Sequence, residues 1–355
     1  MYLESLWVQG FRALEEEHLE NLTPITAVEG DNGSGKTTLL DAVYFLASGK
    51  SCLGLTNAEL IRDNHTYFVA GGRYRSWDAV ASGSVTHTIQ AVYTADGRKE
   101  LRVDGTLYHG FVHAIGGFRV AHFNFSSVFL VKGMPSVRRQ YINLLIASCD
   151  RAYLEALSAY SGVIARKNAL LRQSAGGIVD ASLLDLYDEQ IVTLSATVYA
   201  RRAAVLSTVG DAMKQLIADG LFPRLSDVFI TYEPRTVSMT TMHAIREREI
   251  ARRTCLAGCH LDDFVFMRGR RPLRETASLG EAKLVALLLT LSGAEYVRRV
   301  TREYPVLLLD DLEGDIDAEN LEHLVRLLAR FEQVLVASFD FRRLGGGLNA
   351  TSVRL

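Results

Sequence analysis

Residues Gly30-Asp31-Asn32-Gly33-Ser34-Gly35-Lys36-Thr37-Thr38 fit the pattern of Gly, four residues, then Gly-Lys-Thr. No other stretch constrains the fold as strongly, because the pattern demands a strand, a tight loop and a helix in immediate succession. Glycines let the backbone curl until successive N–H groups point at phosphate oxygens. Lys36 reaches the β and γ phosphates, and the Thr37 hydroxyl is a Mg²⁺ ligand. The flanks agree: Ile25-Thr26-Ala27-Val28 reads as a buried strand, and Leu39 to Leu46 reads as a helix whose N-terminus favours anions. Every residue from Gly30 to Thr38 is therefore a candidate contact for ATP, with Mg²⁺ as its counter-ion.

A second run belongs with the first. Tyr304-Pro305-Val306-Leu307-Leu308-Leu309-Asp310-Asp311 is short, apolar and ends in two carboxylates. Such a run suits a strand buried on both faces of a parallel sheet, and ligands bind at the C-terminal ends of such strands. Asp310 is placed to hold Mg²⁺, and Asp311, on the other side of the strand, to polarise an attacking water. Ahead of that strand, Ala277-Ser278-Leu279-Gly280-Glu281-Ala282-Lys283-Leu284 opens an apolar helix. A serine–glycine turn at a helix start presents a hydroxyl and backbone N–H groups to a phosphate. The glycine loop already serves one side of the nucleotide, so Ser278 and Gly280 are expected to serve the nucleotide of a second, identical subunit.

The rest of the chain sorts by periodicity. Leu3 to Val8 alternates and reads as an edge strand; Tyr67–Tyr74, Val85–Tyr93 and Lys99–Val103 read as further strands, with turns at 95–98 and 104–105. Leu154, Leu157, Ile164 and Leu171 recur at helical spacing. Leu184, Tyr187, Ile191, Leu194, Val198 and Val205 form a second helical stripe, with Gly176-Gly177 as the loop between the two helices. The expected class is α/β: a head built from 1–130 and 255–355, interrupted by a helical arm over 131–254. No apolar run approaches the roughly 20 residues a bilayer requires, so no membrane role is expected. The N-terminus has no basic-then-apolar leader, and four cysteines do not make a disulfide framework, so the expected compartment is the cytoplasm. Cys255, Cys259, His260, Asp262 and Asp263 lie close enough to read either as a zinc site or as buried thiols beside a turn, with no second ligand pair. Net charge is −2, so contact with nucleic acid must come from local patches, and Arg138-Arg139, Arg166-Lys167, Arg201-Arg202 and Arg252-Arg253 are the candidates. For any single pair, a solvated helix face balanced by Glu and Asp is the favoured reading.

Several stretches go beyond a general ATPase pattern. Gly10-Phe11-Arg12, Ser48 to Ser51, Leu130 to Arg139, Lys167 to Leu171, Tyr187 to Gln190 and Gly258 to Asp263, together with the glycine loop, make the chain resemble the RecF family of bacterial recombination-repair proteins along nearly its whole length. These are ABC-type ATPase heads. The resemblance implies weak, DNA-stimulated ATPases that dimerise around ATP, bind double-stranded and gapped DNA, and act with RecO and RecR to load RecA. It implies that Lys36, Thr37 and Thr38 hold phosphates and Mg²⁺ and that Asp310 and Asp311 are the metal-binding and water-activating carboxylates. It further implies that Ser278 and Gly280 reach across the dimer, that Asp317 lies in a loop lining the interface, and that Arg12 touches the nucleotide near its α-phosphate or base. The chain departs from the family pattern at Ser126, where an acid is usual, at Ala277 and Glu281 in the serine turn, and at Gly314. These changes bear on turnover more than on nucleotide binding, and leave an ATP-gated DNA clamp with little hydrolysis as the alternative.

Overall fold

The computed structural model describes residues 1–78, 82–173, 180–312, 316–338 and 350–355. Its strands are β1 (Tyr2–Phe11), β2 (Leu14–Leu19), β3 (Ile25–Glu29), β4 (Tyr67–Asp78), β5 (Gly83–Thr94), β6 (Lys99–Val103), β7 (Thr106–Tyr108), β8 (Val120–Phe123), β9 (Val228–Glu233), β10 (Asp263–Arg268), β11 (Arg271–Pro272), β12 (Val306–Asp310), β13 (Val334–Ser338) and β14 (Thr351–Arg354). Its helices are α1 (Lys36–Ser48), α2 (Phe129–Lys132), α3 (Pro135–Ala147), α4 (Arg151–Gln173), α5 (Ala181–Ala218), α6 (Met239–Arg252), α7 (Leu273–Thr276), α8 (Leu279–Thr301) and α9 (Ala318–Leu328). The expected Gly176-Gly177 loop lies outside the described residues.

Two compact units result. The first comprises Met1–Val128, Asp211–Ser226 and Ala277–Leu355; the second comprises Phe129–Gly210 and Asp227–Thr276. These differ from the expected head and arm in two places. Residues 211–226 fall in the first unit because α5 runs on into it, and 255–276 fall in the second because β10 pairs with β9.

The first unit holds two sheets. One is antiparallel with strand order β2-β1-β4-β5-β6-β7. Here β1 is an interior strand flanked by β2 and β4, not the edge its alternation suggested; the edge is β2, whose Glu15, Glu16 and Glu20 neighbourhood is too polar to announce a strand. The other sheet is parallel, with order β14-β3-β13-β12-β8. β12 and β13 are buried along their whole length, as unbroken Val/Leu runs in a parallel sheet must be. Helix α1 packs on strands of both sheets and is buried from Thr38 to Leu40 and around most of its remaining circumference. Its apolar residues join those of β1, β4, β5, β12 and β13 in one core.

The second unit is mostly helical but contains a three-stranded sheet, β11-β10-β9, of which β9 lies inside the stretch expected to be helix alone. The long helical pattern on either side masked the β-branched and aromatic run Val228 to Tyr232. Along α5, Leu184, Ile191, Val198 and Val205 are buried, as their spacing predicts. Polar side chains share that stripe: Asp188, Ser195 and Arg202 are buried as well. Arg202 bonds Asp262 Oδ2 at 2.8 Å, the Cys259 carbonyl at 2.6 Å and Asn143 Oδ1 at 2.9 Å. Arg138 makes a two-pronged contact with Asp263 at 2.7 and 2.8 Å, and Lys167 Nζ stands 2.6 Å from both Asp188 and Glu249. Of the candidate basic pairs, Arg138, Lys167 and Arg202 are buried as internal counter-charges, neither phosphate contacts nor the solvated faces that the sequence favoured.

Candidate functional site

The glycine loop joins β3 to α1 as its spacing demands. Gly35 sits at φ 110, a left-handed conformation that only glycine adopts without strain, and it caps α1. A Cβ on Gly30 would stand 2.5 Å from Ser34 Oγ, so this position also has no room for a side chain. Lys36 folds back over the loop, with Nζ donating to the Gly30 carbonyl at 2.6 Å and the Asp31 carbonyl at 2.9 Å. Its ammonium is thus held in the hollow of the loop by oxygens alone.

A cavity of about 540 Å³ opens beside this loop. It is lined by Arg12, Lys36, Thr37, Thr38, Asp310 and Asp311, with Asn32, Gly33, Gly35, Asn124, Ser126 and Ser338 completing the polar wall. The site lies where β3, β12, β13 and β8 end, at the carboxyl edge of the parallel sheet, the usual ligand position in such sheets. Gly30, Asp31 and Ser34 belong to the loop without lining the cavity.

The carboxylates divide their work. Asp310 ends β12, is 9% exposed, and accepts a hydrogen bond from the Thr37 hydroxyl. Burial pushes its carboxyl above the ordinary range; the Thr37 bond opposes this, neighbouring Asp311 adds to it, and Lys36 opposes it. Asp311 follows in a left-handed conformation at φ 58, which turns its side chain off the line of the strand. Its Oδ2 lies 3.3 Å from Lys283 Nζ on α8.

Arg12 occupies the β1–β2 connection, also left-handed at φ 50. Its Nη1 is buried without a hydrogen-bond partner, and the nearest carboxylate oxygen, Asp41 Oδ2, is 3.6 Å away. Asp41 on α1 is fully buried. Desolvation raises its carboxyl, while bonds from the Cys52 N–H at 2.7 Å and the Ser51 hydroxyl at 2.8 Å pull the other way. Ser34 Oγ is likewise buried and unpartnered. An orphaned guanidinium nitrogen, an orphaned hydroxyl and a loop of N–H groups form a donor set suited to a polyphosphate; Thr37 and Asp310 are hard oxygen ligands suited to Mg²⁺. The residues present therefore fit both.

Other expected residues lie apart from this cavity. Ser278 caps α8, its Oγ accepting the Glu281 N–H at 3.1 Å, and it is solvent-exposed with Gly280 part-exposed beside it. Neither lines the cavity of its own chain. Asp317 caps α9 by accepting the Asn320 N–H at 2.9 Å, while Gly314 lies outside the described residues. Cys255, Cys259 and His260 do not form a metal centre. Cys255 Sγ bonds the Ala257 carbonyl, His260 Nδ1 meets the Tyr160 hydroxyl at 2.5 Å, and Asp262 and Asp263 are taken by Arg202 and Arg138. Among the described residues no cluster of three or more such side chains is placed to hold a metal ion. Asn124 and Ser126 enter the site through the turn after β8. There the Asn124 Oδ1 accepts the Ser127 N–H at 3.1 Å and the Ser127 Oγ accepts the Asn124 N–H at 3.0 Å.

A family model described as the RecF/RecN/SMC N terminal domain matches residues 2–351. The chain belongs to this family. It is similar to the DNA replication and repair protein RecF of Symbiobacterium thermophilum, 27% identical over 361 residues that cover 97% of this chain and 93% of that protein. It is 29% identical to the RecF of Geobacillus kaustophilus over 352 residues, covering 95% and 92% of the two chains. Among solved structures, a recombination mediator protein RecF with ATP, of the RecFOR pathway, superposes with a TM-score of 0.87 over 99% of this chain and 95% of that one, at 24% identity. The fold is that of an ABC-type ATPase head, and within the family the chain is a divergent relative of RecF proteins. Of the described helices, none is long and apolar enough to cross a membrane.

Proposed function

We propose that this chain is an ATP-dependent DNA-binding repair protein of the RecF kind, which dimerises around ATP on duplex or gapped DNA and hydrolyses it slowly. The observation that carries this reading is the cavity that gathers Arg12, Lys36, Thr37, Asp310 and Asp311 at the end of the parallel sheet. The similarity to RecF proteins of DNA replication and repair, and to a RecF solved with ATP, agrees with it.

In this reading the N–H groups of Gly33 to Thr38 and the Lys36 ammonium hold the β and γ phosphates. Thr37 and Asp310 are the protein ligands of Mg²⁺, which when bound neutralises charge on the phosphate oxygens. Asp311 orients the attacking water and accepts its proton. Arg12 takes the α-phosphate. A second cavity of about 480 Å³, lined by Arg12, Ala13, Glu59, Ile61, Arg62, Asp63 and Asn64, shares the Arg12–Ala13 wall and would receive the nucleoside. Ser278, exposed, and Gly280, part-exposed, lie outside their own chain's cavity and would meet the nucleotide of a second copy. ATP then favours the closed pair because it touches both copies, which ADP does less well. Duplex or gapped DNA, RecR- and RecO-type partners, help to RecA and a cytoplasmic setting complete the proposal. Arg166, Arg252 and Arg253 remain exposed on the second unit as backbone contacts.

The alternative is an ATP-gated clamp with little turnover, favoured by the neutral Ser126 in the cavity wall. Sedimentation with ATP, ADP or no nucleotide, with and without gapped duplex, tests the proposal. A dimer only with ATP supports it; a monomer under every condition refutes it. Phosphate release in the same samples separates the working ATPase from the clamp.

A further inference from the structure

Lys283 stands on α8, five residues past Ser278 in the sequence and so about one and a half turns along the helix. Its Nζ is 3.3 Å from Asp311 Oδ2 and 5.1 Å from the centre of the Phe125 ring, and its side chain is only 11% exposed. Phe125 and Asp311 both line the main cavity. A lysine side chain is long and ordinarily mobile; here burial and the aromatic face fix where its charge lies. The adjacent carboxylates at the end of β12 are thereby given different cations, Lys36 beside Asp310 and Lys283 against Asp311. Two neighbouring anions repel, and separate cations hold the two carboxylates in different orientations.

We propose that Lys283 is a positioning residue for ATP hydrolysis: it anchors Oδ2 of Asp311, leaves Oδ1 to take a hydrogen from the attacking water, and ties that carboxylate to the helix whose serine turn meets the other copy's nucleotide. This rests on the two-copy reading above. Helix α8 is a rigid rod over this short span, so the placement of Ser278 in one site and the aim of Asp311 in the other are set together. Hydrolysis in each site is then faster when the opposite site is engaged.

The test is Lys283→Met, with Lys283→Arg as the conservative variant and Lys283→Met/Asp311→Asn as the double. ATP affinity and ATP-driven dimerisation should be unchanged in Lys283→Met, while turnover falls at least tenfold, toward that of Asp311→Asn. The dimer should outlive the wild-type dimer after dilution into ADP, and Lys283→Arg should recover much of the rate. The double variant should be no slower than Asp311→Asn alone. Without nucleotide, the melting-temperature changes of the two single variants should fail to add. Turnover within twofold of wild type in Lys283→Met, losses that multiply in the double variant, or a wild type that never hydrolyses ATP would overturn the proposal. If wild type and Lys283→Met both stay monomeric with ATP, the two-copy reading is what failed, and non-additivity in turnover and melting still decides for or against the Lys283–Asp311 contact.

Discussion

Arg202→Met separates a buried counter-charge from a DNA contact. The guanidinium is 2% exposed and satisfies Asp262, the Cys259 carbonyl, Asn143 and the Tyr153 hydroxyl. Asp262 is itself 1% exposed, so the substitution strands a carboxylate in the interior with only the Tyr232 hydroxyl and the Arg235 N–H as donors. Breaking one side of a buried pair costs about 3–5 kcal/mol. At roughly 2–4 °C per kcal/mol for a body of this size, melting should fall by about 10 °C. Arg201, the next residue, is exposed and reaches Asp150 at 3.2 Å; a surface pair of this kind contributes about 1 kcal/mol or less, so Arg201→Met should barely move the transition. Thermal denaturation by circular dichroism reads both, and fluorescence anisotropy with labelled duplex at two salt concentrations reads DNA affinity. If Arg202→Met melts within about 2 °C of wild type yet loses salt-sensitive DNA affinity, the assignment of Arg202 to the interior is refuted.

Three more outcomes follow from the same geometry. Reversing both exposed arginines in Arg252→Glu/Arg253→Glu should leave the melting temperature unchanged and weaken duplex binding with a shallower salt slope, measured by the same anisotropy titration. Asp310→Asn should stabilise the nucleotide-free protein near pH 7 while abolishing Mg²⁺-dependent ATP binding. Burial raises the Asp310 carboxyl, so the native state keeps a proton that the unfolded chain has lost, and stability falls as pH rises through that window; the gain over wild type should therefore vanish below about pH 4, where both states are protonated. Asp311→Asn should bind ATP with wild-type affinity, hydrolyse it at least about tenfold more slowly, in keeping with the loss of a positioned base, and prolong the ATP-bound dimer seen by sedimentation.

The parts of the fold written in short-range pattern were legible in the sequence. The glycine loop, its helix and the acidic strand end announce themselves because each needs particular residues at fixed spacing, and their meeting in one cavity follows from parallel-sheet topology. The helical stripe of α5 was legible for the same reason. What stayed hidden was what depends on distant partners. Asp188 and Arg202 occupy stripe positions that pattern alone would give to apolar side chains, and only the arrival of Lys167 and Asp262 explains them. β9 was hidden because a short strand between long helices carries little periodicity of its own. β1 alternates like an edge strand because one of its faces is only half-buried, although both of its sides are paired. Asn124 contributes to the cavity through a turn after β8, and Lys283 meets Asp311 across 28 positions of sequence, so neither could be found by local spacing.

A mixing experiment addresses the shared-nucleotide claim most directly. Lys36→Met disables the glycine loop of one chain and Ser278→Arg disables the serine turn of another, so each variant alone has no complete site. Mixed, a pair made of one of each keeps one intact site, formed by the loop of the Ser278→Arg chain and the turn of the Lys36→Met chain. ATP hydrolysis and ATP-dependent dimer should therefore reappear in the mixture at a fraction of the wild-type level. A mixture as inert as its separate components would mean that each chain completes its own site and that two copies do not share their triphosphates.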